Sequence, residues 1–205
     1  MSQQITPGFK AGIDAYYKHS HNLIDEGQFG APIILTPFNY RTARNYGVEL
    51  TTSYDVDKFS FYGNLAIAQQ KAKDIVSSQF NFDPGDLAFI ATKAIHTDHD
   101  QLMTGSAGAS YLWQQTRFSI DLLAGSGLRA GGDHPNGHAL PSYEQINLGV
   151  SQHFDAPTFG AFDARLDIIN VLDEVYKIRD GTGVGIGAPQ FGPRRAVFAG
   201  LKKQF

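Results

Sequence analysis

The stretch from Gly160 to Asn170 places Phe162, Ala164, Leu166 and Ile168 on one parity and Asp163, Arg165 and Asp167 on the other. A strand sends successive side chains to opposite faces, so this segment is apolar on one side and carries three charges on the other. Two kinds of β fold accept such a strand. A soluble sandwich buries the apolar side in its own core, whereas a membrane barrel turns it to lipid and lines a wet lumen with the charges.

Seven more segments alternate in the same way. Phe9 to Lys18 sets Phe9, Ala11, Ile13, Ala15 and Tyr17 against Lys10, Asp14 and Lys18. A second, with its start placed as far upstream as Ile33, ends with Val48, Leu50, Thr52 and Tyr54 against Glu49, Thr51, Ser53 and Asp55. The others centre on Phe59 to Ile67, Met103 to Tyr111, Phe118 to Ala124, Ile146 to Phe154 and Arg195 to Phe205. The links between them are sorted by length. Asp55-Val56-Asp57-Lys58, Gln114-Gln115-Thr116 and Asp155-Ala156-Pro157-Thr158 read as tight turns. Ser20 to Ala31, Ala72 to Asp98, Ala130 to Leu140 and Asp173 to Pro193 read as long loops. Short turns at one end and long loops at the other is the arrangement of an outer-membrane barrel. Aromatic residues at strand ends (Tyr16, Tyr17, Tyr54, Phe59, Tyr111, Trp113, Phe118, Tyr143 and Phe154) suit its two interfacial girdles. The expected fold is therefore all-β: an antiparallel up-and-down transmembrane barrel of about eight strands. Within the long loops only Pro84 to Thr92 reads as helix, with Asp83 as its cap.

Composition narrows the function. The 205 residues suit one domain and carry a net charge of -3, which gives no electrostatic case for nucleic acid. With no cysteine there is no disulfide and no thiolate metal site. Charged residues make up 18%, below the roughly 25% of an average globular domain. No apolar run reaches the roughly 20 residues of a membrane helix. Met1-Ser2-Gln3-Gln4 has neither the basic start nor the apolar centre of a secretory signal. The expectation is that the chain either is not exported or is the C-terminal piece of a longer protein.

Little in the sequence argues for catalysis. No serine, threonine or cysteine stands in a nucleophile elbow, and no carboxylate pair has a catalytic argument behind it. Gly181 to Gly187 lacks the lysine and the following helix of a phosphate-binding loop, so it reads as a mobile or tightly turning loop. His96, Asp98, His99 and Asp100 form the most metal-like cluster, with donor types that suit zinc, copper, iron or nickel. On a strand His99 would point away from the other three, so the spacing serves a ligand only in a loop. These four are the candidate ligand-binding residues, with no metal or cofactor assigned. His19 and His21 can share a face, and His134 and His138 flank a Pro-Asn-Gly turn.

Several stretches resemble the C-terminal third of a TonB-dependent receptor, an outer-membrane active transporter. They are Ala15-Tyr16-Tyr17 leading to Asn22-Leu23-Ile24-Asp25, Asn45-Tyr46-Gly47-Val48-Glu49-Leu50, Gly125-Ser126-Gly127-Leu128-Arg129, Leu140-Pro141-Ser142-Tyr143, Arg165 to Asp173 with Tyr176, and Gly192-Pro193-Arg194-Arg195 running to Phe205. The resemblance implies a wall section, residues 1–205, of a 22-stranded barrel, without its plug domain. It implies outer-membrane location, lipid around the wall, and import of a siderophore, cobalamin or carbohydrate ligand. TonB would be reached only through an N-terminal region outside this stretch. It implies that Gly200, Leu201 and Phe205 form the signal read by the barrel-assembly machinery, with Lys203 departing from the usual aromatic. Glu49, Asp121, Asp163, Arg165 and Asp167 would face the lumen. The alternative is a self-contained eight-stranded barrel, in the outer membrane or as a soluble ligand binder.

Overall fold

The computed structural model describes residues 2–30, 33–157 and 160–203. Its elements are β1 (Ser2–Thr6), β2 (Phe9–Phe29), β3 (Ile34–Val56), β4 (Phe59–Ile75), α1 (Pro84–Thr92), β5 (Ile95–His96), β6 (Met103–Trp113), β7 (Thr116–Gly125), β8 (Arg129–Ala130), β9 (His138–Ala139), β10 (Tyr143–Ala156), β11 (Gly160–Ile169), β12 (Lys177–Asp180), β13 (Pro189–Phe191) and β14 (Ala196–Lys203). One antiparallel sheet runs β1-β2-β3-β4-β6-β7-β10-β11-β14, with the short β5 also on β4. β8–β9 and β12–β13 are two separate small hairpins.

Register turns the eight alternating segments into a surface. Phe9, Tyr54, Phe61, Ala109, Ile120, Leu148, Ile168 and Val197 stand opposite one another in an unbroken row across eight strands. A neighbouring row, Val56, Phe59, Tyr111, Phe118, Val150, Leu166 and Ala199, is equally apolar. Among the described residues no second layer covers this face: Ile13, Ile120 and Leu166 remain 54%, 46% and 42% exposed. A soluble sandwich is thereby excluded, because it would bury these rows. On β3 the belt runs from Tyr46 to Val56. At about 3.4 Å per residue and roughly 45° tilt that is about 24 Å of height, matching the apolar band of an outer-membrane barrel.

The opposite face is small and polar. Lys10, Ser53, Tyr62, Gly108, Asp121 and Asn147 form one of its rows. Tyr62 on β4 reaches across β6 to donate a 2.8 Å hydrogen bond to Asp121 on β7. That bridge passes directly over Gly108, where a Cβ would lie 2.3 Å from the Tyr62 ring and 2.5 Å from the Asp121 carboxylate. Gly47 plays a comparable part on β3, since a Cβ there would meet the Ala68 methyl at 2.7 Å.

Two of the aromatic residues assigned to the girdles stand elsewhere. Tyr16 pairs with Gly47 and Tyr143 with Gly125, both on the polar face. The rest of the girdle is on the apolar face, with Tyr17 stacked on Tyr46 at 6.4 Å, Tyr54 beside Phe59 at 6.1 Å and Phe154 on Phe162 at 5.0 Å.

The tight turns gather at one end. The β3–β4 and β6–β7 turns open on the left-handed residues Asp57 (φ 52°) and Gln114 (φ 55°). At the other end β2 and β4 are longer than the sequence suggested, running into the stretches read as loops, whereas β3 starts at Ile34, close to the upstream start placed near Ile33. β1 was not anticipated, because Ser2–Thr6 has no apolar parity and is exposed throughout. The sheet does not close among the described residues: β1 pairs only with β2, and β14 only with β11.

A loop cluster over the polar face

The buried core of the molecule lies in its long-loop end. Phe38, Tyr40, Ala43, Ala72, Ile75, Ile90, Ile95 and Val184 form one cluster, with Leu23, Phe82, Leu87 and Phe89 packed against it. Its position follows from a reversal of facing. In β3 the covered residue of the lower strand is Ala43, on odd parity, but above it Phe38 and Tyr40, on even parity, are covered. β2 reverses at Asn22 (φ 53°) and β4 at Asp74 (φ 63°). A one-residue change of facing swaps every following side chain to the other side. Apolar residues that would have met lipid thus turn under the loops.

Helix α1 is part of that lid. The Asp83 side chain accepts from the Gly85 and Asp86 amides, with Pro84 at the first turn, as its spacing predicted. The helix buries Ile90 against β4 and β5. The glycine-rich loop is the tightly turning kind. Gly181 and Gly185 take φ 92° and 75°, Val184 and Ile186 are buried, and the Gln28 amide donates to the Gly185 carbonyl at 2.6 Å. Asn136, taken from the sequence as no more than part of a turn, is fully buried. Its amide nitrogen donates to the His96 carbonyl at 2.8 Å, and its oxygen accepts from the Val184 amide at 2.8 Å. One side chain therefore ties three loops. A Pro-Asn-Gly triplet signals a turn, and nothing in it reveals the tertiary bonds.

The four candidate residues divide into two sets. His96 Nδ1 lies 2.5 Å from Asp100, whose other oxygen accepts from the Gln70 amide at 2.9 Å. Asp98 lies in a separate network with His99, at 2.9 Å, and Arg179, whose Nε donates to it at 2.7 Å. That network includes Asp25, which sequence reading did not select. Donor atoms of Asp25, Asp98 and His99 lie within 4.8 Å of one another, a set with the size and chemistry to hold a divalent cation. Both Asp98 oxygens are engaged by protein donors, and Asp25 and His99 approach to 3.7 Å.

Electrostatics bind the second network together. Burial pushes Asp25 above the usual carboxylate range, against the pull of His99. Burial also raises Asp98, but the hydrogen bond from His99 and the Arg179 guanidinium outweigh it and hold Asp98 low. The bond to Asp98 raises His99, while burial lowers His96. At the far loop Asn170 is fully buried and bonds Glu174 and the Pro193 carbonyl. Arg194 and the Arg195 amide clamp Asp173 and hold its carboxyl far below the usual range. His19 and His21 do share a face, with rings 4.7 Å apart, and His138 lies 4.0 Å from Asp133.

On the polar face Asp163 meets His153 at 2.7 Å, and Arg165 grips Asp167 along its own strand at 2.6 and 2.9 Å. Glu49 stands opposite Asp14 and Ala66. Gly200 and Leu201 lie on the edge strand β14, and Phe205 falls outside the described residues.

A family model for the TonB-dependent receptor-like β-barrel matches residues 4–171. The chain belongs to the TonB-dependent receptor β-barrel family. Its place is accordingly the outer membrane, and the family is one of transporters and receptors rather than enzymes. Solved structures share the fold at low identity. The copper transporter OprC aligns with TM-score 0.61 at 11% identity, over 95% of this chain and 28% of that one. Pseudomonas aeruginosa FpvA, solved with ferric pyoverdine, aligns with TM-score 0.61 at 10% identity, over 95% and 24%. The FrpB iron transporter from Neisseria meningitidis aligns with TM-score 0.60 at 12% identity, over 96% and 29%. This TonB-dependent receptor barrel section spans about a quarter to a third of those chains. No curated protein matches it significantly.

Proposed function

We propose that this chain is the C-terminal wall section and outer loops of a TonB-dependent transporter, the whole of which imports a scarce ligand such as a siderophore, cobalamin or a carbohydrate. The unbroken apolar row across eight strands carries the reading, because only hydrocarbon can cover it. On this reading the polar face lines the lumen, so Glu49, Asp121, Asp163, Arg165 and Asp167 face water or a plug contributed by other parts of the protein. The loop cluster around Asp25, Asp98 and His99 is the outer rim. The exposed edge of β14, with Gly200 and Leu201, is read by the assembly machinery together with Phe205, which follows the strand in sequence. The chain performs no catalysis. Residues 1–205 supply wall and loops, so this stretch alone does not drive uptake.

The test is expression of residues 1–205 behind an export leader in Gram-negative cells. We expect the chain to fractionate with the outer membrane and to give no proton-motive uptake of ferric siderophores or cobalamin. Energised uptake by this stretch alone would refute the division of labour. A continuous reading frame upstream encoding a plug supports it, and a chain recovered as a detergent-free monomer overturns it.

A further inference from the structure

We propose that the outer wall carries a binding site for the phosphate groups of an outer-leaflet lipid, built from Arg44, Lys71 and Lys73. This rests on the outer-membrane reading of the apolar face and goes beyond it.

The site follows from register. Tyr17, Tyr46 and Gln69 are cross-strand neighbours at the upper margin of the apolar belt. Two residues further along each strand, on the same parity, the next row reads His19, Arg44, Lys71 and His96. The row after that reads His21, Thr42 and Lys73. Spacing along a strand puts these rows about 7 and 13 Å beyond the aromatic girdle. That is where headgroups sit, on the side that faces lipid. The pairing of β2, β3 and β4 is continuous through these positions, so the parity that sends Val48 and Leu50 to hydrocarbon also sends Arg44 outward.

The charges are unbalanced there. The chain carries a net charge of -3, yet this patch gathers three cations and two exposed imidazoles. His96 is engaged with Asp100, and Arg41 at the upper margin is paired with Asp74 at 2.5 Å. Arg44, Lys71 and Lys73 have no ion-pair partner among the described residues. Glu49 and Asp14 stand on the opposite face. Lysines and arginines at the rim of an apolar belt keep their stems on lipid and their heads in the headgroup layer. The chemistry that neutralises a cluster of such heads at that depth is a phosphate ester, which Arg44 can engage through two donors and the lysines as point charges.

The experiment uses the full chain in neutral dodecyl maltoside micelles. It measures occupancy by lipid A and by enzymatically dephosphorylated lipid A with native mass spectrometry, with inorganic phosphate as a separate arm. We expect lipid A to bind, its dephosphorylated form to bind far more weakly, and inorganic phosphate alone not to compete. At about fivefold per cation, replacing all three as Arg44→Gln, Lys71→Gln and Lys73→Gln lowers lipid A affinity on the order of a hundredfold. Lys18→Gln, at the same height but on the polar face, leaves binding unchanged. Equal binding of the dephosphorylated lipid, competition by inorganic phosphate, or a triple variant that binds as the parent does overturns the site. A chain that fails to remain with membranes after an alkaline wash fails at the earlier level, the wall itself. A chain that stays there and ignores the phosphates fails only here.

Discussion

Asn136 shows how much of the loop end depends on single polar side chains. Removing its amide leaves the His96 carbonyl and the Val184 amide without their partner in a covered site. Orphaning buried groups costs about 1–3 kcal/mol each. Asn136→Ala should therefore loosen the lid, seen as faster hydrogen exchange at Val184 and protease cutting in the loops, while the urea midpoint of the sheet stays put. Unchanged exchange would show that water replaces the amide without loss. Protonation acts at the same scale. His99 is raised by Asp98, so the stabilisation from that pair is complete below the ordinary imidazole range and fades as pH climbs through the raised value. Asp98 is held low, so its share is present above the ordinary carboxylate range and is lost as pH falls through its depressed value. His96 opposes in mild acid, because burial disfavours its charged form. Exchange protection of residues 97–100 should decline on the alkaline side, and His99→Gln should abolish that decline. A decline that persists in the variant points to another group.

At the scale of elements, the sheet's two faces differ in what they tolerate. Ile120 stands near the middle of β7 in the long apolar row, and Ser119 points to the other side. An arginine at mid-depth on the lipid side costs about 2–4 kcal/mol. Ile120→Arg should lower folding stability in micelles by that amount, with Ser119→Arg changing it far less. A reversed order would invert the assignment of faces. The eight alternating segments and α1 could be read from the sequence because each carries its own local signal: parity for strands, Asp83-Pro84 for the helix. β1 could not, since a mostly polar stretch with a single apolar residue, Ile5, pairs only because Phe9–Gly12 offers it an edge. The upper parts of β2 and β4 were missed for a related reason. Parity breaks at Asn22 and Asp74, and a pattern that breaks reads as a loop. The candidate site was half legible. Asp98 and His99 are neighbours in sequence, but Asp25 and Arg179 join them only through folding, with no local pattern to mark them.

For the whole molecule, hydrogen bonding and packing are separated in space. The wall below the girdle has strand pairing and little covered side chain, whereas the loop end holds nearly all of the buried apolar residues. A wall of this kind draws its stability from the surrounding solvent as much as from itself, and among the described residues its two outermost strands offer unpaired backbone. Chains at high concentration in weak detergent should therefore join edge to edge through β1 or β14. Crosslinks between cysteines placed at Gln3 and at Val197 would report it, and exclusively monomeric chains under those conditions would argue that the rims are protected.

The turnover of facing at Asn22 and Asp74 also separates two kinds of evolutionary freedom. On the proposed reading, everything beyond that level answers to whatever arrives from outside the cell, and everything before it answers to the bilayer. A graft cut at those two residues could give one receptor the recognition tips of another without touching the part that holds it in place.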